Sequence, residues 1–234
     1  MMTKTLFAMI AAGGLLIAGA PAHAQGAKPD GAKPAPTATP AKKDDKQTEK
    51  KDEKKTEKAA LGETAPSFEL TDTDGKTIKL SDYKDKIVVL QWFNPECPHV
   101  VKHYGKASTF NDLHKDFSGK GVVFLAVNSG APGKQGAGKD LNAKYKKDWS
   151  MPYPIMLDEK GTVGKAYGAT TTPHMYIIGK DGKLAYKGAI DNNKALDAKD
   201  YKNYVRQALD QIIKGETVTE PETRSYGCSV KYAN

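Results

Sequence analysis

From residue 61 onward, unbroken apolar runs alternate with segments of helical periodicity. Lys86-Ile87-Val88-Val89-Leu90-Gln91-Trp92-Phe93 has the β-branched, near-continuous character of a strand buried on both faces, and Gly121-Val122-Val123-Phe124-Leu125-Ala126-Val127 repeats it. Ser67 to Thr71 and Thr77 to Leu80 alternate in period two around Asp74-Gly75, which predicts a β-hairpin. Met175 to Ile178 and Leu184 to Gly188 flank Lys180-Asp181-Gly182 and predict another. Val100, Val101, Tyr104, Ala107, Phe110 and Leu113 recur at helical spacing. A polar helix is expected over Asp140 to Trp149, a short strand over Pro154 to Asp158, and one or two helical turns over Val163 to Tyr167. A last helix is expected from about Asp200 to Ile213. The order ββ-β-α-β-α-β-β-α predicts an α/β fold with a central mixed sheet covered by helices. Gly130 to Gly138 lacks phosphate-loop spacing and reads as a loop.

The first sixty residues follow other rules. Lys4, the apolar Leu6 to Ala20 run and Ala22-His23-Ala24 read as a secretory signal peptide over residues 1–24. That run is too short and Gly-rich for a strong membrane span, so no stable span is expected after processing. Residues 25–60 hold no aromatic residue and no Val, Ile, Leu or Met, which predicts a solvated Lys/Asp/Glu/Pro-rich tether. The net charge of +8 is spread along the chain, and no nucleic-acid motif accompanies it. The rest divides into one domain over residues 61–214, large enough for a proper core, and a tail over 215–234. Export to a periplasm or beyond the cell permits disulfides, so both cysteines are candidates for pairing or redox chemistry.

Cys97 follows the first buried run and the break Asn94-Pro95-Glu96, and Pro98 comes directly after it. Proline is favoured at the first helical position. Cys97 is therefore expected at a helix N-terminus, where backbone N–H groups favour a thiolate. The bland alternative is a buried, inert thiol. Thr171-Thr172-Pro173-His174 enters a strand with a proline that cannot donate to the ladder, which marks an edge, a bulge or a cis turn. Cys228 lies in the tail, as a passive thiol or as a partner that folds back onto Cys97. His99 and His103 are four residues apart, so Cys97, His99 and His103 offer a soft-metal alternative against the reading of two surface histidines.

Leu61-Gly62-Glu63-Thr64-Ala65-Pro66-Ser67-Phe68, Asp74-Gly75-Lys76, Trp92 to Pro98 and Thr172-Pro173 together resemble the thioredoxin superfamily, specifically the peroxiredoxin-like part of the alkyl hydroperoxide reductase/thiol-specific antioxidant (redoxin) group. The resemblance implies a three-layer thioredoxin-like fold with an N-terminal hairpin extension, a cis Pro173 facing Cys97, and no cofactor. With the residue readings above, Cys97, Cys228 and Pro173 are expected to be catalytic, with Thr172, His174 and Trp92 contacting substrate. Val100 occupies the place of the second cysteine of Cys-x-x-Cys enzymes, so no local disulfide can form. Asn94 and Leu90 depart from the peroxiredoxin Pro-x-x-x-Thr-x-x-Cys pattern, and the only arginines, Arg206 and Arg224, come late. The expected activity is exported thiol–disulfide exchange: Cys97 attacks protein or small-molecule disulfides, and Cys228 or an external thiol reductant resolves the product. Antioxidant attack on peroxides is the weaker variant. The rival is a copper chaperone of the Sco type using Cys97 and the nearby histidines. The tail is expected to dock when oxidised and to loosen when reduced.

Overall fold

The computed structural model describes residues 58–196 and 201–233. The leader and nearly all of the tether lie outside them, as does Asp200 at the expected start of the last helix. Strands β1 (Glu69–Asp72) and β2 (Thr77–Lys79) form the N-terminal hairpin. The sheet continues through β3 (Ile87–Trp92), β4 (Val122–Asn128), β5 (Ile155–Leu157), β7 (His174–Ile178) and β8 (Leu184–Gly188), in the order β2-β1-β5-β4-β3-β7-β8. β3, β4 and β5 run parallel, whereas β7, β8 and the hairpin join antiparallel, so the sheet is mixed as the pattern predicted. Two dipeptide strands, β6 (Thr171–Thr172) and β9 (Cys228–Ser229), pair with each other outside that sheet.

All six residues of β3 are buried because both faces of the sheet are covered. Alternation sorts the side chains between two cores. Ile87 and Val89 of β3, Phe124 and Ala126 of β4, and Met175 and Ile177 of β7 share one core with Cys97. Helices α2 (Thr109–Phe117) and α5 (Tyr204–Ile213) add Phe110, Leu113, Phe117, Val205 and Leu209 to that core. Val88, Leu90, Trp92, Leu125, Val127 and Tyr176 face the other core, closed by Val163 and Tyr167 of α4 (Thr162–Tyr167) and by Ala65 and Phe68. The polar helix α3 occupies Lys139–Asp148.

The continuous helix suggested by Val100 to Leu113 is broken. A four-residue helix α1 (Pro98–Val101) passes into a π-helical turn (Lys102–Lys106), and α2 restarts after Ser108, which adopts a left-handed conformation at φ 49°. The break turns Val101 out to 40 % exposure and brings the polar side chains of Lys102 and His103 into the interior. π-helical turns of this kind often accompany functional sites.

Candidate active site

The turn after β3 is built by side chains that hold its backbone. Asn94 accepts from the Glu96 N–H through Oδ1 at 2.9 Å and donates to the Gln135 carbonyl at 3.2 Å. Glu96 in turn accepts from the Gly136 N–H at 2.7 Å. The glycine-rich loop is therefore a brace for the turn carrying Cys97. Cys97 is the N-cap of α1 with Pro98 at the first helical position, as the sequence predicts, and its backbone is extended. The side chain is wholly buried and its Sγ donates to the Thr172 carbonyl at 3.0 Å.

Thr172–Pro173 is a cis peptide bond, and the hydrogen bond from Cys97 sets this turn directly against the helix start. After α5 the tail returns beside the end of β8, where Glu222 bridges Lys187. Gly188 sits at φ 147°, where a Cβ would come within 2.2 Å of Thr223 Oγ1. That hydroxyl accepts from the Ala189 N–H at 2.9 Å and lies 2.6 Å from the Tyr186 hydroxyl. The tail next crosses the sheet end, where β9 pairs antiparallel with β6 and places Cys228 opposite Thr172.

The Cys228 side chain consequently packs against the core cluster that contains Cys97, and both cysteines meet Thr172. Burial pushes the Cys228 thiol up to about 11, with the Cys97 contact adding to the rise and Lys231 opposing it. Both thiols are free. Backbone pairing with β6 and the hydrogen bond from Thr172 Oγ1 to the Cys228 carbonyl seat the tail beside Cys97.

Gly227 makes the close approach feasible. It adopts φ 120°, and a Cβ there would stand 2.1 Å from the Thr172 carbonyl oxygen. Any other residue at this position drives β9 away from β6.

Trp92 and His174 lie elsewhere. The two are register partners across β3 and β7, and period-two alternation turns both side chains away from the face that carries Cys97. Trp92 Nε1 donates to Ser129 Oγ at 3.0 Å, and that hydroxyl donates to Asp158 at 2.7 Å. His174 packs on Tyr176 with ring centroids 4.6 Å apart, and burial pushes its imidazole down to about 4. Proximity in sequence to Cys97 and Pro173 placed these residues near the site, but strand geometry gives them to the other core.

The spacing of His99 and His103 also misled in both directions. His103 is fully buried, with Nδ1 3.1 Å from Thr109 Oγ1 and Nε2 3.3 Å from the Tyr226 hydroxyl. Burial and the neighbouring Lys102 charge push it down to about 3, so it is neutral. His99 stacks edge-on against Tyr226. Cys97, His99 and His103 therefore do not converge, and no group of three or more metal-ligating side chains forms among the described residues. Tyr226, Gly227, Asp191 and Tyr232, which shape the tail's seat, were not singled out by the sequence. Two aromatic residues bracketing Cys228 in an otherwise polar tail, and a glycine directly before it, were the available signals.

The chain resembles known proteins. It is 31 % identical over 128 residues to the thiol-disulfide oxidoreductase ResA of Bacillus thuringiensis subsp. konkukian (strain 97-27), covering 54 % of this chain and 68 % of that protein. An uncharacterized conserved protein from Geobacillus kaustophilus superposes with a TM-score of 0.67 at 32 % identity, over 74 % of this chain and 93 % of that one. Peroxidoxin BcpB from Mycobacterium tuberculosis shares the fold, with a TM-score of 0.51 at 22 % identity over 67 % of this chain and 97 % of that one. The AhpC/TSA family model matches residues 61–187, and with more than half of the sequence inside that match the chain belongs to the AhpC/TSA family, a redoxin group of the thioredoxin superfamily.

Proposed function

We propose that this protein is an exported thiol–disulfide oxidoreductase in which Cys97 is the attacking thiol and Cys228 resolves. The observation that carries the reading is the register pair Thr172–Cys228: Cys97 Sγ donates to the carbonyl of that same Thr172, so the buried cysteine at the helix start and the tail cysteine meet on one residue. In the first step Cys97 gives up its proton, and its thiolate attacks a substrate disulfide. A mixed disulfide forms and the other substrate sulfur leaves as a thiolate. Cys228 then loses its proton and attacks Cys97 Sγ, releasing the second substrate thiol. The substrate gains two electrons and the protein ends as the Cys97–Cys228 disulfide, which an external thiol reductant returns to the dithiol.

The same pair would resolve a sulfenic acid on Cys97 if a peroxide were the oxidant, with water as the product of resolution. Val100 in place of a nearby cysteine leaves Cys228 to supply the chemistry that Cys-x-x-Cys enzymes perform locally. Pro173 and Thr172 form the wall against which the reacting sulfurs lie. Export rests on the signal-peptide pattern of residues 1–24.

The test uses the reduced mature protein and an aromatic disulfide whose released thiolate absorbs visible light. The wild type is expected to release two thiolates per protein and to end as the intramolecular disulfide by mass. Cys228→Ser is expected to stop after one, with the adduct on Cys97. A persistent adduct on wild-type Cys97 would remove Cys228 from the mechanism. Burial of Cys228 adds a pH signature: resolution should accelerate roughly tenfold per pH unit above neutrality as the thiolate fraction grows.

A further inference from the structure

The tail reaches Cys97 past a buried polar cluster that neither the proposed chemistry nor the family assignment uses. Tyr226, only 7 % exposed, directs its hydroxyl into it. That hydroxyl donates to Asp191 Oδ1 at 2.5 Å, lies 3.3 Å from His103 Nε2, and accepts from Lys102 Nζ at 3.4 Å. Because the hydroxyl hydrogen is committed to Asp191, His103 carries its proton on Nε2 and leaves Nδ1 to accept from Thr109. Lys102 Nζ donates further to the Asn193 and Ala195 carbonyls at 2.5 and 2.8 Å, and Asp191 Oδ1 accepts from the Asn193 N–H at 3.0 Å. Charged groups buried to this extent cost stability unless each finds partners. Here one of the partners is a tyrosine from the tail.

We infer that Tyr226 is a positioning residue for Cys228, its hydroxyl locked by Asp191, His103 and Lys102 so that the second thiol is held against Cys97. This rests on the reading of Cys228 as the resolving thiol. One residue, Gly227, separates the anchor from the thiol, so a fixed Tyr226 confines the Cys228 backbone to within roughly 7 Å of its own. Confinement raises the effective concentration of Cys228 at the Cys97 sulfur. The ring reinforces it by lying edge-on to His99, two residues after Cys97, with centroids 5.5 Å apart. One side chain thereby links the cysteine-bearing turn, the loop after β8 and the tail. A hydrophobic anchor such as phenylalanine would fill the same volume but would leave the buried carboxylate without its hydroxyl donor. Hydrogen bonds to charged groups make the docked tail more favoured by roughly tenfold to a hundredfold.

The test follows the two chemical steps separately by acid quenching and mass analysis in the wild type, Tyr226→Phe, Asp191→Asn and the double variant. Adduct formation on Cys97 is expected to be no slower in any of them. Resolution to the Cys97–Cys228 disulfide is expected to slow about tenfold to a hundredfold in each single variant. The double variant should be no slower than the worse single one, because both remove one interaction. Resolution within twofold of wild type in Tyr226→Phe would overturn the inference while leaving Cys228 as the resolving thiol. Should Tyr226→Phe fail to fold, Asp191→Asn gives the same readout. Equal slowing of both steps, or loss of the fold in both single variants, would make the cluster a structural element and overturn the inference too. A wild type that never forms the Cys97–Cys228 disulfide would remove the resolving reading and this inference with it.

Discussion

The tail is anchored on both sides of Cys228, and the two anchors differ in kind. Upstream, Tyr226 is held by side chains in a buried charged cluster on the face of the sheet that carries Cys97. Downstream, the backbone does most of the holding: Val230 N–H donates to the Thr170 carbonyl at 3.0 Å, and Ala131 N–H donates to Lys231 at 2.8 Å. Tyr232 closes that side by donating to the Ala169 carbonyl at 2.8 Å and lying over Gly161 and Gly164. A Cβ on either glycine would come within 2.5 Å of the Tyr232 side chain, so the absence of side chains on that face of α4 makes the seat. The upstream anchor depends on charge and protonation; the downstream one depends on shape and backbone pairing. Cys228 is fixed because it lies between two anchors that fail under different conditions.

Severing the upstream anchor from the thiol should have the largest effect. In Gly227→Ala the new methyl collides with the Thr172 carbonyl, so β9 has to leave β6. Resolution of the Cys97 adduct is expected to fall about a hundredfold, an order of magnitude set by losing effective concentration, while the adduct itself still forms. Rapid-quench mass analysis reads both steps. Wild-type resolution would show that β9 pairing does not position the thiol.

Acid should weaken the upstream anchor through His103. Its folded-state value is lowered from 6.5 to about 3, so the unfolded chain takes up a proton that the native chain refuses. That stability is fully present above about pH 6.5 and is lost as the pH falls toward 3. The loss is roughly 1.4 kcal/mol per pH unit for a single histidine. His174, lowered to about 4 on the downstream side, adds a similar slope over a shorter range. Asp191, raised chiefly by burial, opposes both once it begins to protonate. Urea midpoints between pH 7 and 4.5 check this, and a His103→Gln variant should show a shallower slope than wild type.

Shape is tested by Tyr232→Ala. Removing the ring from its glycine seat is expected to lower stability by about 1–3 kcal/mol, the range for truncating a half-buried aromatic with one hydrogen bond. Resolution should slow by less than it does in Gly227→Ala, because β9 keeps its partner. Chemical denaturation and the quench assay together separate the two effects, and equal kinetic damage in both variants would erase the distinction between the anchors.

Lys231→Ala should do least. The lysine opposes the rise of the Cys228 thiol, so its removal should push that thiol further up and slow resolution at neutral pH by a factor of about two to three, in keeping with a weak, solvent-screened charge. Measurement at low and at high salt should show the difference shrinking as screening increases.

The sequence by itself determined the sheet, because the buried runs of β3 and β4, the two hairpins and the helix spacing of α5 are written in periodicity that local physics reads directly. It also placed Cys97 at a helix N-cap and pointed to the Thr172–Pro173 turn, since a proline after a strand break and a proline entering a strand have few conformations open to them. The wrong placements of Trp92, His174 and His103 share one cause. Nearness in sequence does not fix nearness in space: strand alternation and the π-helical turn after α1 decide which face a side chain meets. Only the tertiary structure decided the meeting of Cys97 and Cys228 on Thr172, and the burial of Lys102 and Asp191 beside Tyr226. Those contacts join segments far apart in the chain, and lysine, aspartate and tyrosine carry no local sign of burial until the folded backbone encloses them.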